Sequence, residues 1–103
     1  MSENNIVYVD SDLEDLIPGF MENRHKDVEK INNLLAGNNL EEIQRLGHSM
    51  KGAGGGYGFD EISEIGKQLE AAAKDGNKDV IDHLNNLLKQ YISNVTVVYQ
   101  DDD

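Results

Sequence analysis

The chain has 103 residues and no composition break that would separate two cores, so it reads as one small domain. Hydrophobic residues make up 38% and aromatics 6%, which leaves a core of Leu, Ile, Val, Met and Ala and favours helices; with no cysteine, disulfide scaffolds, Cys-ligated zinc and thiol nucleophiles drop out and a reducing compartment fits. A net charge of -11 argues against a nucleic-acid partner, no apolar run approaches the ~20 residues of a membrane helix, and the N-terminus lacks signal-peptide order, so the expectation is a cytoplasmic protein that binds neither nucleic acid nor membrane.

In chain order, Ile6-Val7-Tyr8-Val9 is β-prone but stands as a single segment, and Asp10 to Ile17 can form a short extra helix across one end of the fold. Residues 1–17 are thus an N-terminal extension. Pro18 suits the first turn of a helix, where its missing N–H would be unpaired in any case. From there the stripe Ile17, Met21, Val28, Ile31 and Leu35, with Arg24 in register, steps by three and four as a bundle-facing helix does. Gly37 stops it. Asn39, with Glu42 three residues on, reads as an N-cap and capping-box partner.

The second stripe is Ile43, Leu46, Met50 and Ala53, ending in Gly54-Gly55-Gly56-Tyr57-Gly58. The third is Phe59, Ile62, Ile65, Leu69 and Ala72 or Ala73, stopped by Gly76. Asn77 caps a fourth helix with stripe Val80, Leu84, Leu87, Tyr91, Val95 and Val98, and Val95 to Tyr99 is read as its frayed end. Four amphipathic helices on short links predict an all-α, antiparallel up-down-up-down four-helix bundle over residues 18–99, with residues 100–103 a solvated acidic tail.

Chemistry concentrates in the second helix. His48 stands two residues before Met50, which turns its ring from the bundle axis to solvent, while Lys51 and Gly52 share its face one turn on. A glycine there costs ~1 kcal/mol relative to alanine. Bare backbone beside the ring admits a partner's active site in return. A neutral imidazole is a good nucleophile near neutral pH, and a cation one turn away can balance the charge of a transferring phosphoryl group. The set describes a phosphate acceptor without its own catalyst.

His48, Met50, Lys51, Gly52, Ala53, Gly54 and Gly58 together resemble the signature of histidine-containing phosphotransfer (HPt) domains of two-component phosphorelays, His-x-hydrophobic-Lys-Gly-small-small with a Gly ten residues after the His. Leu69-Glu70 looks like the family's Leu-Glu or Leu-Gln pair on the next helix. The resemblance implies a helical bundle whose His48 accepts phosphate through Nε2 from a histidine kinase or a receiver phospho-aspartate and passes it to a response-regulator aspartate. It also implies that Glu70 hydrogen-bonds the other ring nitrogen. The chain would then be a carrier and no enzyme, a monomer with no cofactor of its own, the Mg²⁺ belonging to the receiver. Gly54-Gly55-Gly56 departs from the family, which more often has Ser or Ala first, and leaves the end of the second helix open.

Plainer readings stand beside these. Lys51 alone would be a solvated lysine, and Glu70 an exposed helix carboxylate. Gly55 and Gly56 can be slack before a turn at Gly58, although Gly52 and Gly55 are also placed on the docking face, with Gln44 and Arg45 a turn before His48. His25 and His83 show no metal-ligand pairing and read as surface residues. Arg24 can snorkel or pair with Asp27. The competing function is a helical interaction module that docks a receiver or kinase without being phosphorylated.

Overall fold

The computed structural model describes residues 6–101. A strand β1 (Ile6–Asp10) and a 3₁₀ turn (Ser11–Leu16) lead into helices α1 (Ile17–Ala36), α2 (Leu40–Tyr57), α3 (Asp60–Lys74) and α4 (Lys78–Asn94), and a second strand β2 (Thr96–Gln100) follows. The four helices form the expected bundle, and the 3₁₀ turn stands where the short extra helix is expected. Among the described residues no helix is long and apolar enough to cross a membrane.

Local chemistry places the helix ends. Pro18 lies in the first turn of α1. At its other end the left-handed residue is Asn38 (φ 59), while Gly37 stays at φ -87. Asn39 Oδ1 accepts from the Glu42 N–H at 3.4 Å and caps α2. Glu42 turns its own carboxylate to Arg45 at 2.9 Å, in place of the reciprocal capping bond. The glycine run does not stop α2: Gly54, Gly55 and Gly56 are helical, and the helix closes at Gly58 (φ 89), with the Phe59 N–H donating to the Gly54 carbonyl at 2.8 Å. Gly76 (φ 72) ends α3, and Asn77 Oδ1 accepts from the Val80 N–H at 3.3 Å to start α4.

Ile31, Ile43, Phe59, Ile62, Leu69, Ile81 and Leu88 are fully buried at the centre of the core. Phe20, outside the expected stripe of α1, stacks on Phe59 at 5.2 Å and meets Tyr57 at 4.8 Å. Arg24 lies over the Phe20 ring and pairs with Asp27 at 2.9 Å.

The face of α4 is a correction. Val80 and Leu87, expected inside, are 39% and 40% exposed; the buried residues are Ile81, Leu84, Asn85, Leu88, Tyr91 and Ile92. Both stripes have helical period and share Leu84 and Tyr91, so packing on α1 and α3 selects between apolar neighbours. Asn85 donates from Nδ2 to the Val28 carbonyl and to Asn32 Oδ1, each at 3.0 Å, and ties α4 to α1.

The C-terminal segment is a second correction. Val95 is extended (φ -71, ψ 139), and Val95 to Tyr99 is no frayed helix. β2 pairs in parallel with β1, Ile6 opposite Thr96 through Asp10 opposite Gln100. Four antiparallel helices return the chain to the end from which it started, so two β-branched segments at opposite ends of the sequence become neighbours, with the whole bundle as their crossover. Val7, Val9, Val97 and Tyr99 face the core, while Ile6, Tyr8 and Val98 face outward. Ser11 Oγ donates to Asp101 at 2.7 Å; Asp102 and Asp103 of the expected tail lie outside the described residues.

Candidate functional site

Met50 is 1% exposed, and the two-residue offset leaves the His48 side chain 68% exposed on the outer side of α2. What brings Glu70 to it is a backbone contact between α2 and α3. Gly47 abuts α3 so closely that a Cβ there would lie 2.7 Å from the Glu70 nitrogen and the Gly66 carbonyl oxygen, and a Cβ on Gly66 would lie 2.6 Å from the Lys51 nitrogen. Gly54 repeats the approach two turns further on, where a Cβ would meet the Ser63 nitrogen at 2.6 Å. The Ser63 hydroxyl donates to the Lys51 carbonyl at 2.8 Å and adds a polar tie between the same helices.

Across this seam Glu70 Oε2 lies 3.1 Å from His48 Nδ1 and Glu70 Oε1 lies 3.4 Å from Lys51 Nζ. One carboxylate thus holds both the ring and the cation. Partial desolvation pushes the Glu70 carboxyl upward, but hydrogen bonds from His48 and Lys51 and the charges of both outweigh it, and its pKa ends below the ordinary 4.5. An ionised acceptor at Nδ1 fixes that nitrogen as N–H and leaves the lone pair on Nε2. Among the described residues Nε2 has no hydrogen-bond partner.

Of the other residues singled out in the sequence, Gln44 and Arg45 join His48, Glu70 and Glu41 around an open cavity of about 300 Å³. Gly52 is exposed with open space where a side chain would stand, and Gly55 is exposed with only Ser63 Oγ nearby, 3.7 Å from a Cβ position. Both glycines lie on the same outer surface of α2 as His48. His25 and His83 are exposed on α1 and α4. Glu22 stands three residues before His25, a spacing used in metal bundles, but neither of the other two histidines has such a glutamate. Among the described residues no group of three or more His, Cys, Asp or Glu could hold a metal ion.

Sequence reasoning missed Gly47 and Gly66, which set the helix spacing, and Glu41, which lines the cavity. A signal for the glycines existed: Gly47 continues the stripe Ile43, Met50, Gly54, and Gly66 continues Ile62, Leu69, Ala73. A glycine on a buried helical stripe marks close approach of another backbone.

The model of the Hpt domain family matches residues 15–95. No curated protein and no solved structure matches the chain.

Proposed function

The chain belongs to the Hpt domain family, whose members carry phosphoryl groups in two-component signalling, and from that premise we propose that His48 is its phosphate acceptor, loaded by a histidine kinase or a receiver phospho-aspartate and unloaded onto a response-regulator aspartate. The observation that carries this reading is the exposed ring whose Nδ1 is engaged by Glu70 at 3.1 Å while Nε2 stays free.

In the forward step the Nε2 lone pair attacks the phosphorus of an aspartyl phosphate in line. The Nε2–P bond forms as the P–O bond to the aspartyl carboxyl breaks, and the bonding pair leaves with the carboxylate. The Nδ1 proton stays on the ring, and the positive charge that the ring gains rests against ionised Glu70. Run backwards on a second receiver, the same step returns the phosphoryl group to an aspartate. Mg²⁺ and the acidic residues that stabilise the carboxylate belong to the receiver, so the chain is a phosphocarrier. Gly52 and Gly55 leave the backbone bare so that a receiver can approach the ring.

The test is incubation with a phosphorylated receiver and Mg²⁺. The wild-type chain should gain acid-labile, alkali-stable phosphate, while His48→Gln stays helical and gains none, because an exposed ring leaves no cavity. Uptake of acid-labile phosphate by His48→Gln overturns the assignment. Receiver binding by the wild-type chain with no uptake leaves the docking module as the function.

A further inference from the structure

We propose that Arg45 is the residue that grips the phosphoryl group on His48, and that Lys51 acts one step back by neutralising Glu70; the inference rests on His48 being the phosphate acceptor.

A helical side chain leans toward the helix N-terminus and covers the turn before its own Cα. The His48 ring therefore leans over the turn of Gln44 and Arg45, and by the same rule the Lys51 side chain leans back toward His48, where Glu70 engages it. The open cavity of about 300 Å³ is on this side: Glu41, Gln44, Arg45, His48 and Glu70 line it, and Lys51 does not. A phosphoryl group on Nε2 brings a charge of about -1.5 to -2 near neutral pH. Two of the lining residues are carboxylates, so that charge enters a wall already negative. Lys51 Nζ, 3.4 Å from Glu70 Oε1, answers the Glu70 charge, and pulling Lys51 away toward the phosphate would expose that carboxylate again. Arg45 is the one cation among the residues lining the cavity.

Arg45 is also free to move. It pairs with Glu42 through Nη1 at 2.9 Å, with the Arg45 side chain 72% exposed. Exposed pairs of this kind are worth roughly 0–1 kcal/mol, so a phosphoryl group outcompetes Glu42 easily. The planar guanidinium presents parallel N–H donors that match two phosphoryl oxygens at once, which a lysine ammonium cannot do.

The experiment uses the chain phosphorylated chemically with phosphoramidate, so that no receiver is needed, and follows the second phosphoryl ionisation by ³¹P NMR in the wild type, Arg45→Gln, Arg45→Lys and Lys51→Ala. A bound cation favours the dianion and lowers that pKa. Arg45→Gln should raise the midpoint by about half a unit or more, Arg45→Lys by less, and Lys51→Ala by less than Arg45→Gln. With a phosphorylated receiver, Arg45→Gln should also lower the saturated transfer rate about tenfold. An unmoved midpoint in Arg45→Gln, or a larger shift in Lys51→Ala, overturns the assignment to Arg45. A saturated rate that survives with only the half-saturating receiver concentration raised makes Arg45 a docking residue and overturns it equally. Failure of any receiver to load the wild-type chain sinks the relay reading while the ³¹P midpoints still judge Arg45, and failure of phosphoramidate to label His48 sinks both.

Discussion

Two carboxyls in this domain respond to their surroundings in opposite directions. Burial pushes Asp27 above its ordinary 3.8, although the adjacent Arg24 guanidinium and then Lys30 pull it down. The native state therefore holds the Asp27 proton over a window that starts at 3.8 and extends upward, and across that window stability falls as pH rises. Glu70 is the reverse: its native pKa lies below 4.5, so the stability it contributes is present above 4.5 and lost as pH falls through the native value. Urea midpoints between pH 3 and 6 separate the two. Acidification should cost Glu70→Gln less stability than the wild type, and Asp27→Asn more. Parallel curves for all three proteins would show that neither group is linked to folding in this way. Because Glu70 also holds His48 Nδ1, the same protonation unlocks the ring.

Helices α2 and α3 meet along glycines, and that seam decides both their spacing and the site. Gly47→Ala must push α3 away, since the new Cβ would meet backbone at 2.7 Å on the Glu70 and Gly66 side. Such overpacking costs about 1–3 kcal/mol, and here the displaced atoms belong to the residue that orients His48. Both urea stability and phosphate uptake should fall. Gly52 lies on the same helix with nothing within 4 Å of a Cβ. Gly52→Gln should gain up to about 1 kcal/mol from helix propensity while slowing transfer from a receiver, if the new side chain stands in the approach proposed for the partner. The pair therefore separates a glycine needed for packing from one proposed to serve access. Equal stability effects, or unimpaired transfer in Gly52→Gln, would falsify that division.

At the scale of the whole molecule the strand pair joins the two ends of the described chain and closes over the bundle. Val9 is 2% exposed and belongs to the core, whereas Tyr8, its neighbour on β1, is 59% exposed. Val9→Ala should cost about 2 kcal/mol, from two buried methyl groups plus the cavity left behind. Tyr8→Thr should stay within about 0.5 kcal/mol. Urea unfolding read by both helical and aromatic signals checks this. A neutral Val9→Ala would mean that the strands hang outside the cooperative unit.

Where chemistry acts within a few residues, the sequence was sufficient. Asn39, Gly58, Gly76 and Asn77 cap or end helices because a side-chain oxygen finds an N–H three residues on, or because a glycine tolerates positive φ. The two-residue offset from Met50 likewise turned His48 outward, and the spaced motif around it was legible before any fold was known. Tertiary structure alone chose between Val80 with Leu87 and Ile81 with Leu88, since each set has helical period and only the neighbouring helices distinguish them. It alone paired Ile6–Asp10 with Thr96–Gln100, because a strand needs a partner and this one lies across the whole bundle. The sharing of Glu70 by His48 and Lys51 depends on the same kind of distant fact, the contact of Gly47 and Gly66 that sets how near two helices can lie.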